Sequence, residues 1–133
     1  VNAHDFASTN SNRIITAADT LSFSCHKVAF LSGWWTDLQT GKAKERNVGE
    51  LLMLIVSEVA EAMEGHRKGM PDDHLPHHPM FHVELADALI RIFDLCGAHG
   101  IPVGQIIAEK LAYNAQRSDH RPENRAAEGG KKY

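Results

Sequence analysis

The feature that most limits the fold of this chain is a run between Asn47 and Gly69 in which apolar residues recur at helical spacing. Leu51, Leu52, Leu54, Ile55, Val59, Ala62 and Met63 fall on one side of a helix with 3.6 residues per turn. Asn47 is the expected N-cap, with Glu50 three residues on in the capping-box position. Gly65 or Gly69 is the expected end. Glu58 interrupts the pattern, because at about 100° per residue it lies within the apolar face. A carboxylate placed there is costly unless a cation or hydrogen bonds answer it.

The other segments follow from the same reasoning. Residues 70–79, Met-Pro-Asp-Asp-His-Leu-Pro-His-His-Pro, carry three prolines and are expected to form a connecting loop. A further helix is expected from Met80 to Ala98, with Leu85, Ala88, Leu89, Ile92, Phe93 and Cys96 as its apolar stripe and Gly100 closing it. Pro102 suits the first turn of another, carrying Val103, Ile106, Ile107 and Leu111. Upstream, Thr16 followed by Asp19 predicts a helix start. That helix would continue through Leu21, Cys25, Val28 and Ala29 and end near Gly33, before a polar loop over 36–46. Residues 1–15, rich in Ser, Asn and Thr, are expected to be a flexible arm, and 119–133 a polar tail that closes over a site. Residues 16–118 then form one all-α domain. No strong period-two run is present, so four helices joined by loops point to a four-helix-bundle type of fold. Short helices with one apolar face each are expected to bury it in an oligomer.

Composition removes several function classes. A chain of 133 residues, 43% apolar and 23% charged, is expected to be one soluble domain with a real core. A net charge of −3 without a basic stripe argues against nucleic acid as a partner. No apolar run approaches the roughly 18 residues of a membrane helix, and residues 1–13 lack a signal-peptide core. Cys25 and Cys96 are too few for a disulfide scaffold, so a cytoplasmic setting is expected. Both read as buried small apolar residues, and no nucleophilic Cys–His pair stands out. Thr36 stands where a P-loop ending at Gly41-Lys42 needs its first glycine.

Acids carry the strongest chemical signal. Glu58 and Glu61 share a helix face, as do Glu84 and Asp87 on the next helix. If the two helices pack together, four carboxylates converge, and a hard divalent cation such as Mg²⁺ relieves their repulsion. The plainer reading is two solvated faces, with Asp87 and Arg91 a surface ion pair and Asp94 continuing the polar stripe. Lys110 and Asn114 share a face with Ile106, Ile107 and Leu111, which reads either as a polar pocket or as a lysine stem lying on apolar surface. His74, His77, His78 and His82 gather around the proline-rich loop without a zinc-type spacing, and read as solvated.

Together these residues resemble the MazG-like branch of the all-α nucleoside triphosphate pyrophosphohydrolases. That family is marked by Glu-x-x-Glu on one helix and Glu-x-x-Asp on the next, here Glu58-Val-Ala-Glu61 and Glu84-Leu-Ala-Asp87. His26-Lys-Val-Ala, Gly33-Trp34-Trp35, Asn47-Val-Gly-Glu50, Arg67-Lys-Gly69, Lys110-Leu-Ala-Tyr113-Asn114 and the closing Gly-Gly-Lys131-Lys132-Tyr133 are similar in order, so the likeness covers about residues 16 to 133. Many members have Glu-Glu-x-x-Glu in the first motif, and Ser57 takes the first place here. Glu64 offers another carboxylate, turned further from Glu58.

The resemblance implies Mg²⁺-dependent hydrolysis between the α and β phosphates of a nucleoside triphosphate, giving the monophosphate and pyrophosphate. Mn²⁺ would be a substitute metal. Deoxy or non-standard nucleotides would be the substrates, in a house-cleaning role, and the protein would be a homodimer or homotetramer. Glu58, Glu61, Glu84 and Asp87 would hold the metal, with Glu61 orienting the attacking water. Lys110, Arg91, Arg117, Lys131 and Lys132 would meet the phosphates. Asn114 would bond sugar or phosphate, Trp34 or Trp35 would stack on the base, and His26 would face the nucleotide. Three alternatives remain at this point. Ser57 leaves room for a non-catalytic nucleotide- or partner-binding oligomer. A dUTPase-like enzyme would share the chemistry, but those chains are longer and carry further acidic motifs. A redox metal bundle would use Glu-x-x-His, which neither acid pair supplies.

Overall fold

In the computed structural model, which describes residues 1–133, the chain is all-α. The helices are α1 (Ala3–Thr9), α2 (Ser11–Leu31), α3 (Val48–Lys68), α4 (Met80–Ala98), α5 (Val103–Gln116) and α6 (Pro122–Ala126), with a single 3₁₀ turn at Ser118–His120. None is long and apolar enough to cross a membrane. Two compact units are present: Leu21–Ile101, and Val1–Thr20 together with Pro102–Tyr133.

In the first unit α3 packs on α4. The Asn47 side chain accepts a hydrogen bond from the Glu50 N–H at 3.0 Å, so the expected cap forms. The other end closes at Gly69, whose φ of +60° is the left-handed conformation that glycine adopts without a Cβ penalty. His66, Arg67 and Lys68 in the last turn complement the negative end of the helix dipole. The buried residues of α3 are Leu51, Glu58, Ala62 and Gly65. Leu52, Val59 and Met63, expected on the same face, are 46%, 50% and 59% exposed. Each follows a buried position, Leu51, Glu58 or Ala62, by one residue, and the turn of about 100° carries it out of the contact. On α4, Ala88, Phe93 and Cys96 are buried, whereas Leu85 and Leu89 are not. No large side chain is fully buried.

Two glycines set the helix approaches. A Cβ at Gly97 would lie 2.5 Å from His26 Cβ and 2.8 Å from the Ser22 carbonyl, so α2 and α4 meet through the missing side chain. Ser22 Oγ donates to the Phe93 carbonyl at the same crossing, at 3.1 Å. A Cβ at Gly65 would lie 2.7 Å from the Met80 side chain, which seats the start of α4 against the end of α3.

In the second unit α1 packs on α5. Residues 1–15, expected to be a flexible arm, are largely helical: residues 3–9 and 11–31 form helices. Asn2, not Thr16, caps, accepting from the Asp5 N–H at 2.9 Å. Thr16 lies inside α2, where its carbonyl accepts from Thr20 Oγ1 at 2.7 Å. Only Ala7 of α1 is buried. A contact made by one small residue leaves no apolar period in the sequence. Gly104 completes this unit's packing: its N–H donates to Asp19 Oδ1 at 3.2 Å, and a Cβ there would lie 2.6 Å from the Ile15 carbonyl.

Candidate metal centre

The α3–α4 contact turns both acid pairs toward one pocket of about 520 Å³. Glu58 and Glu61 line it from α3, Glu84 and Asp87 from α4, and Asp72 and Asp73 from the connecting loop. One carboxylate oxygen from each of Glu58, Glu84 and Asp87 lies within 4.8 Å of the other two. Glu61 lines the same pocket outside that triad and is exposed.

Glu58 is buried in the apolar contact, as its position in the helix requires, and the group that answers it is Arg91, whose Nε donates to Glu58 Oε1 at 2.5 Å. The ion pair expected between Asp87 and Arg91 is therefore corrected to Glu58–Arg91 across the two helices, and Arg91 is engaged by an acid. Burial works to raise the Glu58 carboxyl, but hydrogen bonds with Arg91, Glu84 and Glu61 outweigh it and hold it below the usual range. The other acids respond in the opposite direction. Burial first, then the hydrogen bond to Glu58 and the charges of Glu61, Glu58 and Asp87, push Glu84 up to about 7. Burial and the charges of Glu58 and Asp72 raise Asp87. Its hydrogen bond to Glu58, with some burial and the Glu58 charge, raises Glu61.

One guanidinium thus satisfies Glu58 and leaves the remaining negative charge unanswered. The donor set is carboxylate oxygen alone, which is the chemistry of a hard divalent cation. The cluster of Glu58, Glu84 and Asp87 can hold a metal ion.

The loop contributes residues that sequence reading passed over as solvated. Asp72 is only 5% exposed. Its Oδ2 accepts from the backbone N–H groups of His74 at 2.9 Å and Leu75 at 2.8 Å. The Leu75 hydrogen bond, against some desolvation and aided by His74, holds Asp72 below the usual carboxylate range. The Asp72 N–H donates to the His78 carbonyl at 3.0 Å and the Met80 N–H to the Met70 carbonyl at 2.9 Å, which ties the loop across its base. The available signal was two adjacent acids between prolines, a turn-forming pair able to cap its own backbone.

A different cluster gathers at the other end of α4. Trp35 Nε1 donates to Asp94 Oδ1 at 2.9 Å. His26 Nδ1 sits 2.9 Å from the same oxygen, a hydrogen bond that requires its Nδ1–H form. The Trp35 ring also meets His26 and His99 edge-on, at 5.6 and 6.4 Å between centroids, and the Arg46 guanidinium at 5.0 Å. Trp34 is 62% exposed. Burial, then the Asp94 charge, pushes the Cys25 thiol up, and burial does the same at Cys96. Neither thiol is poised as a nucleophile.

Lys110, Asn114, Arg117, Lys131 and Lys132 belong to the second unit. Lys110 is exposed rather than core-facing, with its ammonium 4.9 Å from the centre of the Tyr113 ring. Asn114 Oδ1 is buried without a hydrogen-bond partner. Arg117 donates twice to Asp119, at 2.9 and 2.8 Å, and Lys131 Nζ lies 3.7 Å from the same carboxylate. Lys132 is exposed, and its carbonyl accepts from Arg125.

No family model matches the chain, and no curated protein or solved structure matches it.

Proposed function

We propose that this protein is a divalent-metal-dependent nucleoside triphosphate pyrophosphohydrolase of MazG-like type, built as a homo-oligomeric helical bundle. The observation that carries the reading is the triad of Glu58, Glu84 and Asp87 within 4.8 Å, with Glu84 pushed up to about 7. Carboxylates raised by burial and by one another in a cleft mark a candidate functional site. The paired acids and the ordered motifs from His26 to Tyr133 supply the family resemblance.

Mg²⁺, or Mn²⁺ in its place, would supply charge neutralisation at the phosphates and a polarised water. Glu58, Glu84 and Asp87 would hold it. Glu61, at the exposed edge of the cluster, would orient the water and take its proton. The water oxygen would bond to the α-phosphorus as the bond to the β-phosphate bridge breaks. Pyrophosphate would leave, and the nucleoside monophosphate would remain. Arg91 would keep Glu58 ionised and oriented. The substrate class is (deoxy)nucleoside triphosphates, including non-standard ones. The uncovered apolar residues Leu52, Val56, Val59 and Met63, spaced along one stripe of α3, support assembly as a homodimer or homotetramer.

The test is incubation with Mg²⁺ and a panel of ribo- and deoxyribonucleoside triphosphates, with product identification. Monophosphate plus pyrophosphate, lost in EDTA and in Glu61→Gln, is the expected result. Diphosphate plus orthophosphate would overturn the assigned cleavage position, and no product from any nucleotide would overturn the enzymatic reading.

A further inference from the structure

The chain after α5 folds back on itself around one carboxylate. Arg117 donates from Nε to Asp119 Oδ1 at 2.9 Å and from Nη2 to Oδ2 at 2.8 Å, and Lys131 Nζ lies 3.7 Å from Oδ2. Asp119, His120, Arg125, Lys131 and Tyr133 line a pocket of about 250 Å³ at this point. We propose that Asp119 is an internal stand-in for phosphate: in the nucleotide-free protein it holds Arg117 and Lys131 together as a latch, and an oligophosphate displaces it from them. The assignment rests on the pyrophosphohydrolase reading, which gives these two cations to the substrate's phosphates, and it adds the contact that regulates them.

The chemistry of the contact allows exchange. A guanidinium fork takes a carboxylate and a phosphate in the same bidentate geometry, so one can replace the other without moving Arg117. The pairs are open to solvent: the Arg117 and Asp119 side chains are each 38% exposed and that of Lys131 44%. Exposed ion pairs are weak, and a phosphate chain offers the same donors more charge than one carboxylate does. A further group waits for an oxygen. His120 Nε2 is buried without a hydrogen-bond partner, 3.8 Å from Asp119 Oδ2 and so beyond bonding reach. In its Nε2–H form it can donate to a phosphate oxygen that enters the pocket.

The tail is held by polar contacts rather than by packing. Neither the 3₁₀ turn nor α6 buries a residue. Asn124 Nδ2 donates to the Ser118 carbonyl at 2.6 Å, and Arg125 donates to the Lys131 and Lys132 carbonyls at 3.2 and 3.1 Å. Arg125 thus spends its fork on main-chain oxygens, and the ion pairs of the tail all end on Asp119. Two glycines make the return to that carboxylate possible. Gly129 has a φ of +75°, and a Cβ at Gly130 would lie 2.5 Å from the Arg125 carbonyl oxygen. With little apolar surface to separate, removal of the Asp119 contact frees both cations at small cost.

The experiment uses the full chain and inorganic tripolyphosphate, which carries the phosphates without a base. Side-chain resonances are followed by NMR in metal-free buffer as tripolyphosphate is added, and shifts at Arg117 Nε and Lys131 Nζ are expected. Asp119→Asn keeps a side-chain oxygen but removes the charge, and should bind tripolyphosphate about threefold more tightly, the scale of one exposed ion pair. Glu128→Gln removes a charge from the same tail away from these cations, and should change the affinity by less than about 1.5-fold. Equal tightening in both variants would reduce the effect to net charge and overturn the latch. Absence of shifts at Arg117 and Lys131, or weaker binding by Asp119→Asn, would overturn it as well. With Mg²⁺ and a nucleoside triphosphate, KM should fall about threefold in Asp119→Asn. Nucleotide hydrolysis with KM unchanged in that variant sinks the latch and leaves the enzymatic reading standing. If the wild type cleaves no nucleotide, the enzymatic reading fails, and the tripolyphosphate titration alone decides whether Asp119 guards an oligophosphate site.

Discussion

Asp87 and Asp94 lie seven residues apart on α4, two turns along one face, and the sequence gives little reason to tell them apart. Their surroundings differ sharply. Asp94 receives the Trp35 N–H and sits against His26, each at 2.9 Å from one oxygen. Asp87 has Glu58, Glu84 and Asp72 for neighbours, and its carboxyl is raised by burial and by the charges of Glu58 and Asp72. One carboxylate is placed where donors already wait, and it joins α2, the Trp35 segment and α4. The other is placed where more negative charge waits, an arrangement that weakens the fold unless something cationic completes it. A helix surface thus carries one acid met by donors and another met by acids, of the same residue type, and the partners across the groove decide which is which.

The sharpest way to break this contrast is at Glu84. Glu84→Gln should reduce metal-dependent hydrolysis on the order of a hundredfold or more, because it removes one of the three clustered carboxylates proposed to hold the metal. The same variant should unfold at higher urea than the wild type in EDTA, since it removes a charge from a repelling group. Loss of activity together with a lower urea midpoint would show that Glu84 is a packing residue and would remove the contrast. Asp94→Ala should behave in the opposite way. It leaves the Trp35 N–H and the His26 ring without their acceptor in a partly buried place, at a cost of about 2 to 3 kcal/mol of stability. Mg²⁺ affinity by calorimetry should change by less than about threefold, since the lost carboxylate stands about 10 Å from Asp87 along the helix.

Acidity tests the same contrast in solution. A Glu84 carboxyl near 7 in the folded chain, against 4.5 as the ordinary value, means that the native state holds a proton the unfolded state has lost between those two values. Apoprotein stability should therefore be highest below about 4.5 with respect to this group, fall as the pH rises toward about 7, and level off above. Urea midpoints measured across that window in EDTA, with Glu84→Gln subtracted, isolate the contribution. Metal reverses the trend. Binding below about 7 must release the proton, so Mg²⁺ affinity should fall up to about tenfold for each pH unit below that point. Calorimetry in buffers of different ionisation enthalpy would count the proton directly, and a count of zero would rule out Glu84 as a ligand.

Sequence alone gives much of this architecture, and the limits have physical causes. The α3 cap at Asn47 and the Met80–Ala98 helix were legible, and the α3 stop was narrowed to Gly65 or Gly69, because capping and helical periodicity are local. The convergence of two acid pairs was legible as a conditional statement, since i,i+3 spacing fixes one face and the α3–α4 packing supplies the rest. The Glu58–Arg91 pair was not, because a partner 33 residues away depends on rotation about two axes at once. The helix at Ala3–Thr9 was missed because its packing uses a single small residue. Asp72 was missed because a proline-rich loop conceals a carboxylate whose burial comes from its own turn.

Asp72 also gives the smallest and most discriminating test of the contrast. It shares features of both aspartates on α4: it is satisfied by two backbone N–H groups, as Asp94 is satisfied by donors, and it adds to the field that raises Asp87. Asp72→Asn keeps a side-chain oxygen to accept from His74 and Leu75 while removing the charge. The loop should therefore keep its form, with amide exchange at His74 and Leu75 close to that of the wild type. The Asp87 carboxyl should move down toward its ordinary range, which carbon-detected NMR titration can follow. Mg²⁺ affinity should drop on the order of threefold, the scale of one partly screened charge near the ion. A drop of a hundredfold would instead make Asp72 a direct ligand. No drop, with Asp87 unmoved, would mean that its repulsion comes from α3 and α4 alone.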